Sequence, residues 1–122
     1  MIQPPLVVDS GGDISLFRDA RALERGLEAI DVQNGEYVVY DSEGRLVALT
    51  TEEVPTRVLF GLLRGKAEAV RIASAEPEPA HASELGAKLR AFLERLGEEA
   101  SLSATSLPEL IERLRERAGF TI

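Results

Sequence analysis

Residues 36–50 read Glu36-Tyr37-Val38-Val39-Tyr40-Asp41-Ser42-Glu43-Gly44-Arg45-Leu46-Val47-Ala48-Leu49-Thr50. Two β-branched and aromatic runs flank a four-residue connection that ends in glycine. Strands favour such runs, and a type I turn with a bulge favours such a connection. Residues 37–50 are therefore predicted to form a β-hairpin turning at residues 41–44. Tyr37 and Tyr40 are three apart, so on a pleated strand they face opposite sides, one toward the core and one toward solvent.

Upstream of the hairpin, Asn34-Gly35 is a turn signal. Before it, Asp19 has the character of an N-cap for a helix over residues 20–29, with Ala20, Leu23, Leu27 and Ile30 on one stripe. Residues 12–17 read as the first strand, and residues 6–8 as a short edge strand joined to it through Ser10, Gly11 and Gly12. Downstream, Val58, Leu59, Phe60, Leu62 and Leu63 form an apolar run interrupted by Gly61, and periodicity assigns residues 54–63 equally to buried strand or buried helix. Arg64-Gly65-Lys66 reads as a turn, and residues 67–75 alternate as a last strand. Glu76-Pro77-Glu78-Pro79-Ala80 follows as a stiff, extended linker.

The remainder reads as two amphipathic helices. Ser83 is placed to cap one carrying Leu85, Leu89, Phe92, Leu93 and Leu96 and ending at Gly97. Ser106 with Glu109 forms a capping box ahead of Leu110, Ile111 and Leu114, before Gly119. The expected architecture is α+β: a small mixed or antiparallel sheet, in the order strand, helix, hairpin, strand, packed against a C-terminal helical hairpin. At 122 residues the chain has one domain's worth of sequence, divided into sheet and first helix (1–75), linker (76–82) and helical hairpin (83–122). Its 44% apolar and 29% charged residues are those of a globular protein with a core of its own.

Several chemistries lack their residues. With no cysteine there is no disulfide or thiolate site. The single imidazole, His81, follows the Pro-rich linker and reads as a surface-loop residue. Gly61, Gly65 and Lys66 lack phosphate-loop spacing. The turn at residues 41–44 lacks the spaced oxygens of an EF-hand, and Asp9 and Asp13 beside Gly11-Gly12 read as turn residues. No catalytic, metal or cofactor residue is expected. No apolar run reaches 18 residues, and the start of the chain, broken by Pro4 and Pro5, has no basic leader region, so the cytoplasm is the expected compartment.

The charge of −7 is concentrated. Residues 28–53 hold Glu28, Asp31, Glu36, Asp41, Glu43, Glu52 and Glu53 against Arg45 alone, while residues 54–122 are neutral as a whole. Such a field repels phosphate backbones and steers basic surfaces inward.

The phrasing of the first half, Gly12-Asp13-Ile14-Ser15-Leu16-Phe17, then Leu27-Glu28-Ala29-Ile30, then residues 31–45, resembles a group of small uncharacterised bacterial proteins that includes immunity proteins of polymorphic toxin systems. The resemblance implies stoichiometric binding of a toxin and carries no binding residue over. Charge and resemblance together give the expected function: a non-enzymatic module that occludes a basic protein partner. The candidate contact residues are Glu28, Asp31, Glu36, Tyr37, Tyr40, Asp41, Glu43, Glu52 and Glu53, with neither nucleic acid nor membrane as partner. The alternative is a small ligand-binding or regulatory domain with a pocket between sheet and helices.

Overall fold

A computed structural model describes residues 1–58, 63–97 and 105–121, with the side chains of 56–58 and 63–66 outside the description. In chain order the elements are β1 (Leu6–Ser10), β2 (Asp13–Phe17), α1 (Ala20–Gly26), α2 (Ala29–Gln33), β3 (Val38–Tyr40), β4 (Leu46–Val58), β5 (Leu63–Ala75), α3 (Ala82–Arg95) and α4 (Leu107–Ala118). The strands make one antiparallel five-stranded sheet in the order β2-β1-β3-β4-β5, and α3 and α4 form the C-terminal helical hairpin. The fold is α+β.

The sheet carries a core on each face because β1 is apolar on both. Val7, with Ile14, Leu16 and Tyr40, packs against Leu85, Leu89 and Leu93 of α3 and Leu110, Ile111 and Leu114 of α4. Leu6 and Val8, pointing the other way, pack with Phe17, Val39 and Val47 against Leu23 of α1. A run buried on both faces belongs in the middle of a sheet. The expected edge strand at residues 6–8 is accordingly an inner one, and β2 and β5 are the edges.

Other expectations are corrected by local backbone. The helix predicted over 20–29 ends at Gly26, because Leu27 is extended (φ −91°, ψ 149°), and a separate short helix follows at Ala29–Gln33. Ile30 is thereby turned out of the predicted buried stripe and is 62% exposed. The strand after the turn is far longer than residues 45–50: β4 runs to Val58 and β5 starts at Leu63, so Arg64-Gly65-Lys66 lies inside a strand. The helical option for residues 54–63 falls with it, and residues 59–62 of that run lie outside the described residues. The N-cap of α3 is His81 rather than Ser83, whereas Ser106 caps α4 as its capping box predicts, accepting from the Glu109 N–H. The connection between these helices, residues 98–104, lies outside the described residues.

The turn at residues 41–44 ties the parts together. The Asp41 side chain, fully buried, accepts from the backbone N–H groups of Glu43 and Arg45 (both 2.9 Å) and of Gln3 (3.1 Å), and from Arg45 Nη1 (3.2 Å). Gln3 returns the contact by accepting from the Ser42 N–H at 2.9 Å. Gly44 is in the left-handed region (φ +95°), and its carbonyl accepts from the His81 N–H at 3.0 Å. A Cβ on Gly44 would lie 2.3 Å from Ala82 Cα, so α3 docks where only glycine fits.

Each edge strand has a backbone group satisfied from outside the sheet. The Ile72 N–H of β5 donates to Glu24 Oε2 of α1 at 2.8 Å, and the Leu16 carbonyl of β2 accepts from the Thr121 N–H at 2.7 Å. Each contact removes one of the free groups that invite edge-to-edge association.

Gly44→Ala is expected to lower the unfolding free energy by about 2 kcal/mol or more, since it combines left-handed strain with a backbone clash. Urea denaturation measures it. Asp41 gives a second test: burial pushes its carboxyl up, but the Arg45, Gln3 and Glu43 N–H groups and the Arg45 guanidinium outweigh that and hold it below its ordinary value. A depressed acid contributes stability above the unfolded carboxylate range, lost as pH falls below about 4. Asp41→Asn should cost about 3 kcal/mol at neutral pH and flatten the acid limb of the stability profile.

Candidate functional site

The nine residues singled out by charge and aromatic character do not share one face. Asp41 is buried, and Glu43 pairs with the same Arg45, so the turn's two carboxylates are spent on one guanidinium. Glu52 pairs with Arg71 of β5 at 3.0 Å. Glu53 follows on the next position of β4, exposed.

Tyr40 is the inward tyrosine. Fully buried, it donates its hydroxyl to Glu84, and Lys88 stands over its ring at 4.9 Å while pairing with Asp9 at 2.8 Å. Burial and the Glu84 hydrogen bond push the Tyr40 hydroxyl up; for Lys88, burial alone would lower its basicity, and Asp9 and Tyr40 reverse that. One turn before Glu84, at the N-cap of α3, His81 Nδ1 lies 2.7 Å from Glu76 Oε1, which also accepts from the Leu46 N–H at 2.7 Å. His81, Glu84 and Lys88 are spaced three and four apart, so they form one stripe along which α3 is fastened to the sheet. His81 is thus half-buried at a helix start with a carboxylate partner, not the surface-loop residue expected. Among the described residues no buried side-chain nitrogen or oxygen lacks a partner, and no group of three or more His, Asp or Glu could hold a metal ion.

The remaining acids come together at α2 and the start of β3. Gly26 ends α1, and a turn through Asn34 and Gly35 (φ +69°) reverses the chain after α2, bringing residues 28, 31 and 36 alongside. The Tyr37 hydroxyl donates to Asp31 Oδ2 at 3.1 Å, and the Glu36 N–H to the Asp31 carbonyl at 3.0 Å. Hydrogen bonding of its protonated form to the Asp31 carboxylate, and that group's negative charge, hold the Glu36 carboxyl above its ordinary value. Burial raises the Tyr37 hydroxyl, and the charges of Asp31 and Glu28 add to the shift. Among the described residues, no cation pairs with Glu28, Asp31 or Glu36. Composition pointed to these three residues.

Composition did not point to the apolar surface beside them. The ladder between β3 and β4 has only the pairs Val39 with Val47 and Tyr40 with Leu46, so the strands part beyond Val39. An open groove of about 380 Å³ lies there, lined by Tyr37, Val38, Val47, Ala48, Ala75 and Glu76 among others. Val38 is 37% exposed in it. The interior between the sheet and the α3–α4 hairpin is instead filled by leucines. A second groove, about 440 Å³, is at the outer side of α4, between Pro5, Ser42, Ile111, Arg115 and Phe120.

No family model, no curated protein and no solved structure matches this chain. No helix among the described residues is long and apolar enough to cross a membrane.

Glu36 offers a direct check on the patch. Asp31→Asn should return the Glu36 carboxyl toward its ordinary value, read by NMR as a move of its titration midpoint to lower pH. An unchanged midpoint would separate the two carboxylates.

Proposed function

We propose that this chain is a non-enzymatic protein-binding module, of immunity-protein or inhibitor type, that occludes a basic protein partner through Glu28, Asp31 and Glu36. The observation that carries the reading is that these carboxylates stand together, with no cation paired to them among the described residues, while Asp41, Glu43 and Glu52 each pair with an arginine. Like charges held together lose free energy to one another and regain it against a cation. Tyr37, tethered to Asp31, and the exposed Ile30 supply the apolar contact that a purely electrostatic encounter lacks. The resemblance of the first half of the chain to small bacterial immunity proteins supports the same reading. Tyr40, Asp41, Glu43 and Glu52 serve the fold, and Glu53 extends the acidic field along β4.

Electrostatic steering acts mainly on the association rate and is screened beyond a Debye length of about 8 Å at physiological ionic strength. The triple variant Glu28→Lys, Asp31→Lys, Glu36→Lys is expected to slow capture of a basic partner from lysate by tenfold or more, about the span that steering supplies. The same charge change at the exposed Glu78, Glu94 and Glu116 should leave the rate within about twofold. Association is followed by biosensor at low and high salt. Equal rates for the two variants would sink the proposal, as would a captured partner that is acidic.

A further inference from the structure

β4 outruns its neighbour on one side. Its ladder with β5 continues from Val47 to Val58, whereas its ladder with β3 stops at Val47. From Ala48 onward no strand lies along the β3 side of β4 among the described residues. A strand edge left this way is a template for another chain.

Backbone direction decides which groups the edge offers. In an antiparallel ladder two opposite residues point their N–H and C=O groups either at each other or both away. Leu46 accepts from the Glu76 N–H at 2.9 Å and donates to the Glu76 carboxylate at 2.7 Å, so its groups point toward β5. Leu49 has the opposite phase, and the Ile72 N–H across from it points outward, to Glu24 Oε2 at 2.8 Å. The bulge between Ala48 and Leu49 is taken up by Ala73 of β5, so β4 keeps its alternation. Leu49 and Thr51 therefore turn their N–H and C=O groups to the side that β3 has left. Pro55 has the same phase, which suits a residue with no N–H, and it ends the stretch on which a strand could be added.

The space beside this edge is open and acidic. The groove of about 380 Å³ begins where the strands part, with Val38 on its β3 side and Ala48 on its β4 side. Leu49 shares with Tyr37 the sheet face on which α1 packs. On that face Gln33, at the end of α2, donates to Thr51 Oγ1 at 3.3 Å, and the Tyr37 hydroxyl donates to Asp31 Oδ2 at 3.1 Å. Asp31, with the Glu36 carboxyl held beside it, thus borders the α2 face of the edge. On the opposite face Ala48 and Thr50 are small and exposed. A second copy of the chain is the wrong occupant, because joining two such edges would set acidic patch against acidic patch.

We propose that the basic partner docks by strand addition: an extended segment of it, with Lys or Arg at alternate positions, pairs antiparallel with Leu49 and Thr51 and turns those cations toward Asp31 and Glu36. Opposite residues of an antiparallel ladder share a face, so the partner residues whose N–H groups pair are the ones whose side chains meet the patch. The inference rests on the reading of the acidic patch as a docking surface and names the form of the segment it receives.

The probe is a blocked heptapeptide that alternates lysine with valine, added to the isotope-labelled full chain. Amide exchange followed by NMR is expected to slow about tenfold or more at Leu49 and Thr51. Two N-methylated forms of the peptide separate backbone pairing from charge. Methylating the backbone nitrogen of every lysine should weaken binding about tenfold or more, whereas methylating that of every valine should leave it within about threefold. Thr51→Pro, which removes one outward N–H and no charge, should weaken the unmethylated peptide about fivefold. Circular dichroism checks that this variant is folded, and the methylated pair decides if it is not.

Equal binding by the two methylated peptides, or protection that stays away from Leu49 and Thr51, would overturn the inference. So would protection of these amides that rises with protein concentration when no peptide is present, which would make a second copy the occupant. If the methylated peptides bind alike and E28K with D31K and E36K still slows a basic partner, only strand addition fails and the acidic docking surface stands. A peptide that protects Leu49 and Thr51 equally well in that reversed variant would remove the patch from both readings.

Discussion

The carboxylate of Asp41 is the point from which the rest of the molecule is held. A buried charge is tolerated only when its lone pairs are filled and a countercharge is near. Here three backbone N–H groups and Arg45 meet that requirement, and each belongs to a part the fold must join. Gln3 brings in the approach to β1, Glu43 and Arg45 set the turn between β3 and β4, and Gly44 passes the constraint to α3 through the His81 N–H. Because the turn fixes the register of β3 on β4, a slip of one residue would exchange the two faces of the sheet. Both faces carry a core, so such a slip would turn each core side chain toward the wrong layer.

The same economy divides the acids into two groups. Those at the turn, and Glu52 on β4, have guanidinium partners, and their energy is spent on structure. Those at α2 and the start of β3 are crowded against one another, which raises Glu36, and nothing in the described residues relieves them. A protein that needed charge only for solubility would gain more by spreading it. Concentration beside an open apolar groove is what the proposed binding reading draws on, with steering from the charge and area from Tyr37, Val38 and Ile30.

Edge protection bears on the same question. Glu24 covers an N–H of β5, the tail covers a carbonyl of β2, and Pro55 withholds a donor from β4, so strand addition is blunted at these positions.

Much of this was legible in one dimension. The turn at residues 41–44, the antiparallel pairing across it, the two C-terminal helices and the Ser106 cap all follow from local rules, because turn chemistry, alternation and capping act over four residues or fewer. The excess of acid in residues 28–53 was equally plain. What the sequence could not rank was which acids are free. Asp41 and Glu36 look alike in composition, and only tertiary contacts make one a buried hub and the other a crowded surface group. Tyr37 and Tyr40 were separable as opposite-facing but not as to which faced inward, since that depends on α3 arriving with Glu84 and Lys88 from more than forty residues away. His81 read as a loop residue for the same reason: its partner Glu76 and the Gly44 carbonyl are brought to it by the sheet. The length of β4 and β5 also escaped local reading, because Gly65 signals a break that pairing over twelve register positions overrides.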